Sequence, residues 1–193
     1  AVVGRMITFG TTPVGGRRAM ELAERFPGVW FAAGVHPHYA TEVNEDDLAD
    51  LPGLLAHPRC VAFGEMGVDY HYNDPPRDVQ HRLFATQLAM ADRIAPGKVI
   101  IIHCRKAVDD TLSIIRESGL PGERFVFHCH TEPPAECRKV LDFGCAISFT
   151  GIVTYKNAPE VRESALLVPD DRIMVETDSP YLSPEPHRKV RPN

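Results

Sequence analysis

The chain has 193 residues, 44% hydrophobic and 24% charged, the usage of an ordinary globular domain, which excludes disorder and fibrous repeats. At roughly 150 residues per domain, this length favours one compact domain over residues 1–193. Against 21 basic residues stand 26 acidic ones, a net charge of −5 that excludes holding nucleic acid by an overall positive field. No apolar run approaches the roughly 18 residues that would cross a bilayer, and no basic start, apolar stretch and cleavage site open the chain. The expectation is a protein of the cytoplasm with no membrane association. Five cysteines without a C-x-x-C pair argue against a disulfide framework or a zinc ribbon.

Short runs rich in Val, Ile and Phe alternate with stretches of helical spacing, the pattern of β/α units. In chain order, strands are predicted at 6–10, 30–35, 61–65, 99–103, 125–128, 146–149 and 173–176. Between them, helices are predicted at 17–26, 45–57, 77–94, 107–117, 134–143 and 158–167. The helix over 77–94 is the clearest, because Val79, Leu83, Phe84, Leu88 and Ala91 form one apolar stripe. Several strands are almost wholly apolar, as parallel strands covered on both faces are. No shift in composition divides the chain.

Polar residues gather at the strand exits. His36 and His38 follow the second strand, Glu65 and Asp69 the third, and His103 and Arg105 the fourth. His128 and His130 follow the fifth, Thr150 and Tyr155 the sixth, and Glu176 and Asp178 the seventh. In a parallel barrel all these ends open onto the face where active sites are built. Glu176 and Asp178 share a face if the strand stays extended, and two carboxylates there suit a cation. With His103 and His128, each at the end of an apolar run, they make a mixed nitrogen and oxygen donor set suited to Zn²⁺, Mn²⁺ or a Mg²⁺ that keeps waters. Such an ion generates a nucleophile from water near neutral pH, and Asp178 or Glu176 would accept the proton. Arg105 and the group Arg188, Lys189 and Arg191 are candidates to meet an anionic substrate such as a phosphodiester. Dinucleotide, P-loop and serine-elbow motifs are all missing from the sequence.

Six segments occur in a telling order: Gly34-Val-His-Pro-His38, Gly64-Glu-Met-Gly-Val-Asp-Tyr70, Ile102-His-Cys-Arg105, His128-Cys129, Ile147-Ser-Phe-Thr-Gly151 and Val175-Glu-Thr-Asp-Ser-Pro-Tyr181. Together they resemble the TatD family of metal-dependent deoxyribonucleases over nearly the whole chain. The resemblance implies a TIM (β/α)8 barrel that hydrolyses DNA, single-stranded or at 3' ends, as a 3' to 5' exonuclease. It implies one or two divalent ions per subunit, Mg²⁺ first and Mn²⁺ or Zn²⁺ as alternatives. It also implies Glu65, His103, His128 and Asp178 as metal ligands, with Glu65 and Asp178 catalytic, and His36, His38, Arg105 and Tyr155 lining the substrate cleft. Arg188 joins that substrate-binding set as a basic candidate.

Three departures from the family pattern stand out. The family opens with a strand ending in H-x-H, which nothing before Met6 supplies, and it continues past Pro186-His-Arg-Lys into a last helix. The expectation is therefore a barrel without its first strand and C-terminal helix, belonging to a longer gene product. After His128-Cys129 the family runs aromatic, Ser or Thr, Gly, whereas this chain has His130-Thr131-Glu132, a possible ligand and an added negative charge. The same scaffold acting on another ester, phosphoester or amide is the alternative reading, and a non-catalytic binding scaffold is the second. No obligate protein partner is indicated.

Overall fold

The computed structural model describes residues 3–188, so Lys189 and Arg191 lie outside the described residues. Among the described residues, seven strands form one parallel sheet in chain order: β1 (Met6–Gly10), β2 (Val29–Ala33), β3 (Cys60–Asp69), β4 (Val99–Arg105), β5 (Phe125–His128), β6 (Ala146–Phe149) and β7 (Ile173–Val175). Helices return the chain between them: α1 (Pro13–Arg25), α2 (Glu45–Leu48), α3 (Leu51–Ala56), α4 (Arg77–Ile94), α5 (Val108–Glu117), α6 (Pro134–Asp142) and α7 (Pro159–Leu167). Helical crossovers are what parallel pairing requires. The sheet curls, bringing the ring of Phe9 on β1 to 6.1 Å from that of His128 on β5. This is the TIM-type α/β architecture with seven strands; β1 and β7 do not pair among the described residues. Phe31, Phe63, Met66, Ile100, Ile102, Phe125, Phe127 and Ile147 are fully buried, each stabilising the fold by about 1.5–3 kcal/mol. No helix among the described residues is long and apolar enough to cross a membrane.

The departures from the predicted elements have local causes. α1 starts at Pro13, ahead of the predicted residue 17, because Thr12 caps it: Thr12 Oγ1 accepts from Gly15 N–H at 3.1 Å, and proline suits the first helical position. The single helix predicted over 45–57 is two, α2 and α3. Pro52 has no N–H to continue a hydrogen-bonded turn from Leu48 and instead stands in the first turn of α3. β3 runs four residues past its predicted end at Glu65, and its glycines explain why. Gly64 and Gly67 both have φ of +143°, and a Cβ on either would lie 2.6 Å from the Ile101 carbonyl oxygen or 2.0 Å from that of His103. Glycine thus lets β3 press against β4, where other residues would force the strands apart. β4 likewise continues to Arg105, whereas β2 ends two residues early and β7 stops at Val175.

Candidate metal centre

Strand register delivers the central residues. Gly67 is paired with His103, and His103 with His128, so side chains from β3, β4 and β5 reach the same end of the sheet. Glu65 lies between the two close-packed glycines and is buried. Its Oε1 lies 2.8 Å from His103 Nδ1, 3.5 Å from His128 Nε2 and 3.6 Å from His36 Nε2. Burial alone would raise the Glu65 pKa, but the hydrogen bond from His103 and the charges of the imidazoles outweigh it and hold the carboxyl at about 2.

Each of the two strand-end histidines is gripped from behind by another carboxylate. His103 Nε2 lies 3.0 Å from Asp69 Oδ2, and His128 Nδ1 lies 2.5 Å from Glu176 Oε2. Metal-binding imidazoles characteristically donate their second N–H to such a carboxylate, which fixes the tautomer and orients the ring. His103 therefore turns Nδ1, and His128 turns Nε2, towards Glu65. Burial opposes a proton on His103, yet Asp69 and Glu65 prevail and raise its pKa to about 9. His128 is raised for the same reason, burial being overcome by Glu176 and Glu65. Glu176 also accepts from Cys129 N–H at 2.9 Å and from Ser148 Oγ, so its lone pairs are committed.

Asp178 does not continue the extended strand, since its φ is +54°. It nevertheless meets the other end of His128, with Oδ1 3.8 Å from Nε2. Glu176 and Asp178 thus flank one imidazole instead of lying side by side. Burial pushes the Asp178 carboxyl up, His128 pulls it down, and Glu65 and Glu176 add to the rise, leaving it above the usual aspartate value.

Among the described residues, two sets of three donor atoms lie close enough to share an ion: His36, Glu65 and His103, and His38, Asp69 and His103. The tautomers distinguish their members. His36 Nδ1 accepts from the His38 backbone N–H at 3.1 Å, so the ring proton sits on Nε2. His36 then presents a donor and no free lone pair towards Glu65. Burial and the neighbouring His103 lower its pKa to about 3, which keeps it a neutral donor. His38 Nε2 is bonded to Asp69 Oδ2 at 2.9 Å. These side chains, with Arg105, line a cleft of about 980 Å³.

The matching family model is that of the TatD related DNases, over residues 1–193. The chain belongs to this family. It is 39% identical over 174 residues to an uncharacterized metal-dependent hydrolase, YabD, of Bacillus subtilis, covering 90% of this chain and 68% of that protein. It is 37% identical over 195 residues to the 3'-5' ssDNA/RNA exonuclease TatD of Erwinia billingiae, covering 99% and 72%. Among solved structures, the TatD homolog YJJV of Escherichia coli superposes with a TM-score of 0.89 at 26% identity, covering 98% of this chain and 73% of that one.

Against the TatD-based expectations, the structure brings Glu65, His103, His128 and Asp178 together, with His36, His38 and Arg105 along the cleft. Tyr155 and Arg188 stand beside the cleft, where Arg188 Nη1 lies 3.5 Å from Oδ1 of the cleft-lining Asn157. Tyr155 is buried, its hydroxyl donates to the Ser183 carbonyl at 3.1 Å, and the Arg188 guanidinium stacks 3.9 Å from its ring centre. Together they pin the segment after β7 and do not line the cleft. The departure at 130–132 is structural as well. His130 is buried against Phe149, with ring centres 6.0 Å apart, and Glu132 Oε1 accepts from Lys106 N–H at 2.7 Å. Asp69, at the exit of β3, braces His103 and is not among the residues that the resemblance implies. Its signal in the sequence is spacing: Glu65, Gly67 and Asp69 recur at every second position of a strand that continues past Glu65.

Proposed function

We propose that this chain carries the catalytic centre of a divalent-metal-dependent nuclease that hydrolyses phosphodiester bonds, removing nucleotides from the 3' end of single-stranded nucleic acid, DNA foremost. One observation carries the reading: a buried carboxylate, Glu65, faces imidazole nitrogens whose opposite ring nitrogens are bound to Asp69 and Glu176. That donor set fits Mg²⁺, Mn²⁺ or Zn²⁺. Glu65, His103 through Nδ1, His128 through Nε2 and Asp178 would hold the ion. A bound divalent ion lowers the pKa of water towards neutrality and polarises the attacked phosphoryl oxygen.

The chain's own residues supply the rest. Asp178, with its raised pKa and a side chain 35% exposed, accepts the proton of the attacking water. His36 offers its neutral Nε2–H to a substrate oxygen, and Arg105 pairs with a phosphate. The named activities of the Erwinia relative, on single-stranded DNA and RNA, and of a human relative 39% identical over 159 residues, the 3'-5' RNA nuclease TATDN2, support the substrate class. The five cysteines, all unpaired, suit a reducing compartment such as the cytoplasm.

The test is incubation with end-labelled single-stranded DNA and RNA under Mg²⁺, Mn²⁺ or EDTA, alongside Glu65→Ala and Asp178→Ala. Mononucleotides released only with metal, and by neither variant, are the expected result. Intact nucleic acid with retained ion binding would overturn the nuclease reading and leave a hydrolase of another ester or amide.

A further inference from the structure

The loop leaving β3 carries an aromatic side chain that the proposed chemistry does not use. Tyr72 is 54% exposed, and a single exposed tyrosine ordinarily needs no explanation. This one stands on an anchored loop. Gln80, buried on α4, accepts from Asp69 N–H at 2.8 Å and donates to the carbonyls of Asp69 at 3.0 Å and Pro75 at 2.7 Å. One amide side chain therefore ties both ends of the loop. Asp69 Oδ1 accepts from His71 N–H at 2.7 Å, and Tyr70 N–H donates to the Arg105 carbonyl at 2.9 Å. The ring itself meets His71 at 4.7 Å and His38 at 5.3 Å between centres, both nearly perpendicular, with the Arg105 guanidinium 5.8 Å from its centre.

Its position relates it to the cluster. Tyr72, His38, Arg105, Glu65 and His103 line the same cleft. His38 and Asp69 link the tyrosine to His103, through hydrogen bonds of 2.9 and 3.0 Å, and the His38 ring also lies 6.0 Å from that of His103. A net charge of −5 leaves little general attraction for a polyanion, so binding must come from local contacts. Aromatic faces supply such contacts to single strands, because every base has a π face, and a neighbouring arginine adds to them.

The geometry points to Tyr72 as a base-stacking residue, its ring with Arg105 beside it receiving a base of a single-stranded nucleic acid while the adjoining phosphodiester lies over Glu65, His103 and His128. This inference rests on the nuclease reading. The anchored loop pre-orders the ring, so binding costs little conformational entropy.

The experiment measures KM and kcat for oligonucleotides ending in a normal or an abasic 3' nucleotide, in wild type, Tyr72→Ala and Tyr72→Phe. Loss of a stacked base is worth about 1–3 kcal/mol, so KM for the normal end should rise about 5- to 150-fold in Tyr72→Ala. Tyr72→Phe should stay within about twofold of wild type, since the π face is kept. On the abasic end, Tyr72→Ala and wild type should converge. Equal KM on the normal end, or an equal penalty on both ends, would overturn the stacking role while leaving the nuclease reading intact. A wild type that cleaves neither substrate would overturn both.

Discussion

β3 and β7 each bring a carboxylate to the cleft from opposite mechanical settings. β3 is paired on both sides and buried at every position except Val61. β7 pairs only with β6 among the described residues, and its Met174 and Val175 are 44% and 87% exposed. Glu65 is accordingly fixed by close-packed backbone and held as a strong anion, whereas Asp178 follows a strand edge, is partly exposed and has a raised pKa. A fixed anion suits holding a cation, and a carboxyl nearer to neutrality suits taking a proton.

The contrast breaks first at Glu65. Glu65→Gln removes one partner of a buried charge cluster, a loss of about 3–5 kcal/mol. Calorimetric ion binding should vanish and hydrolysis fall about a thousandfold or more. Asp178→Asn should slow hydrolysis by about a hundredfold or more while keeping measurable ion binding. Equal loss of ion affinity in both variants would erase the distinction between anchor and base.

Next comes backbone packing on β3. Gly67→Ala places a methyl 2.0 Å from the His103 carbonyl at φ +143° and should destabilise the chain by about 3 kcal/mol in urea unfolding. A loss under about 1 kcal/mol would mean that β3 and β4 can separate, and that the site is less rigid than its register implies. Glu176→Gln should weaken ion binding about 10- to 100-fold by loosening His128. Unchanged affinity would reduce Glu176 to a brace for the Cys129 backbone and Ser148.

The pH dependence has a definite sign. Below about 9, His103 in the ion-free protein carries a proton that an incoming ion must displace. Ion affinity should therefore rise with pH, about tenfold per unit for one proton, across the neutral range. Stability of the ion-free protein runs the other way. The raised pKa contributes fully below the ordinary value of 6.5, and the contribution is lost as pH rises through about 9. Titrations of Mn²⁺ at three pH values, with thermal melts in EDTA, check both; an affinity independent of pH would remove His103 from the ligand set. The smallest effect belongs to the edge. Val175→Thr should change stability by no more than about 0.5 kcal/mol, and a larger loss would show that this edge is covered in solution.

Much of this molecule is legible in its sequence because apolar periodicity and strand-exit position are local properties. The seven strands and the parallel order they imply follow from where apolar runs end, as do His103, His128, Glu176 and Asp178 as strand-exit candidates, whereas the set Glu65, His103, His128 and Asp178 follows from the resemblance to the TatD family. Other features depend on distant partners. Asp69 acquires its role only when β3 continues past two glycines to lie against β4. Glu176 and Asp178 divide between the two nitrogens of His128 because the backbone turns left-handed at residue 178. The family resemblance implies Tyr155 as a cleft residue, yet its hydroxyl finds the Ser183 carbonyl and its ring finds Arg188.

Sequence alone determined most of the elements, their order and which imidazoles and carboxylates stand at the strand exits, since these depend on burial patterns within a few residues. Tertiary structure decided which nitrogen His103 and His128 present, which carboxylates brace them and which tyrosines line the cleft. Hydrogen bonds between strands dozens of residues apart in the chain make those choices, and no local pattern encodes their geometry.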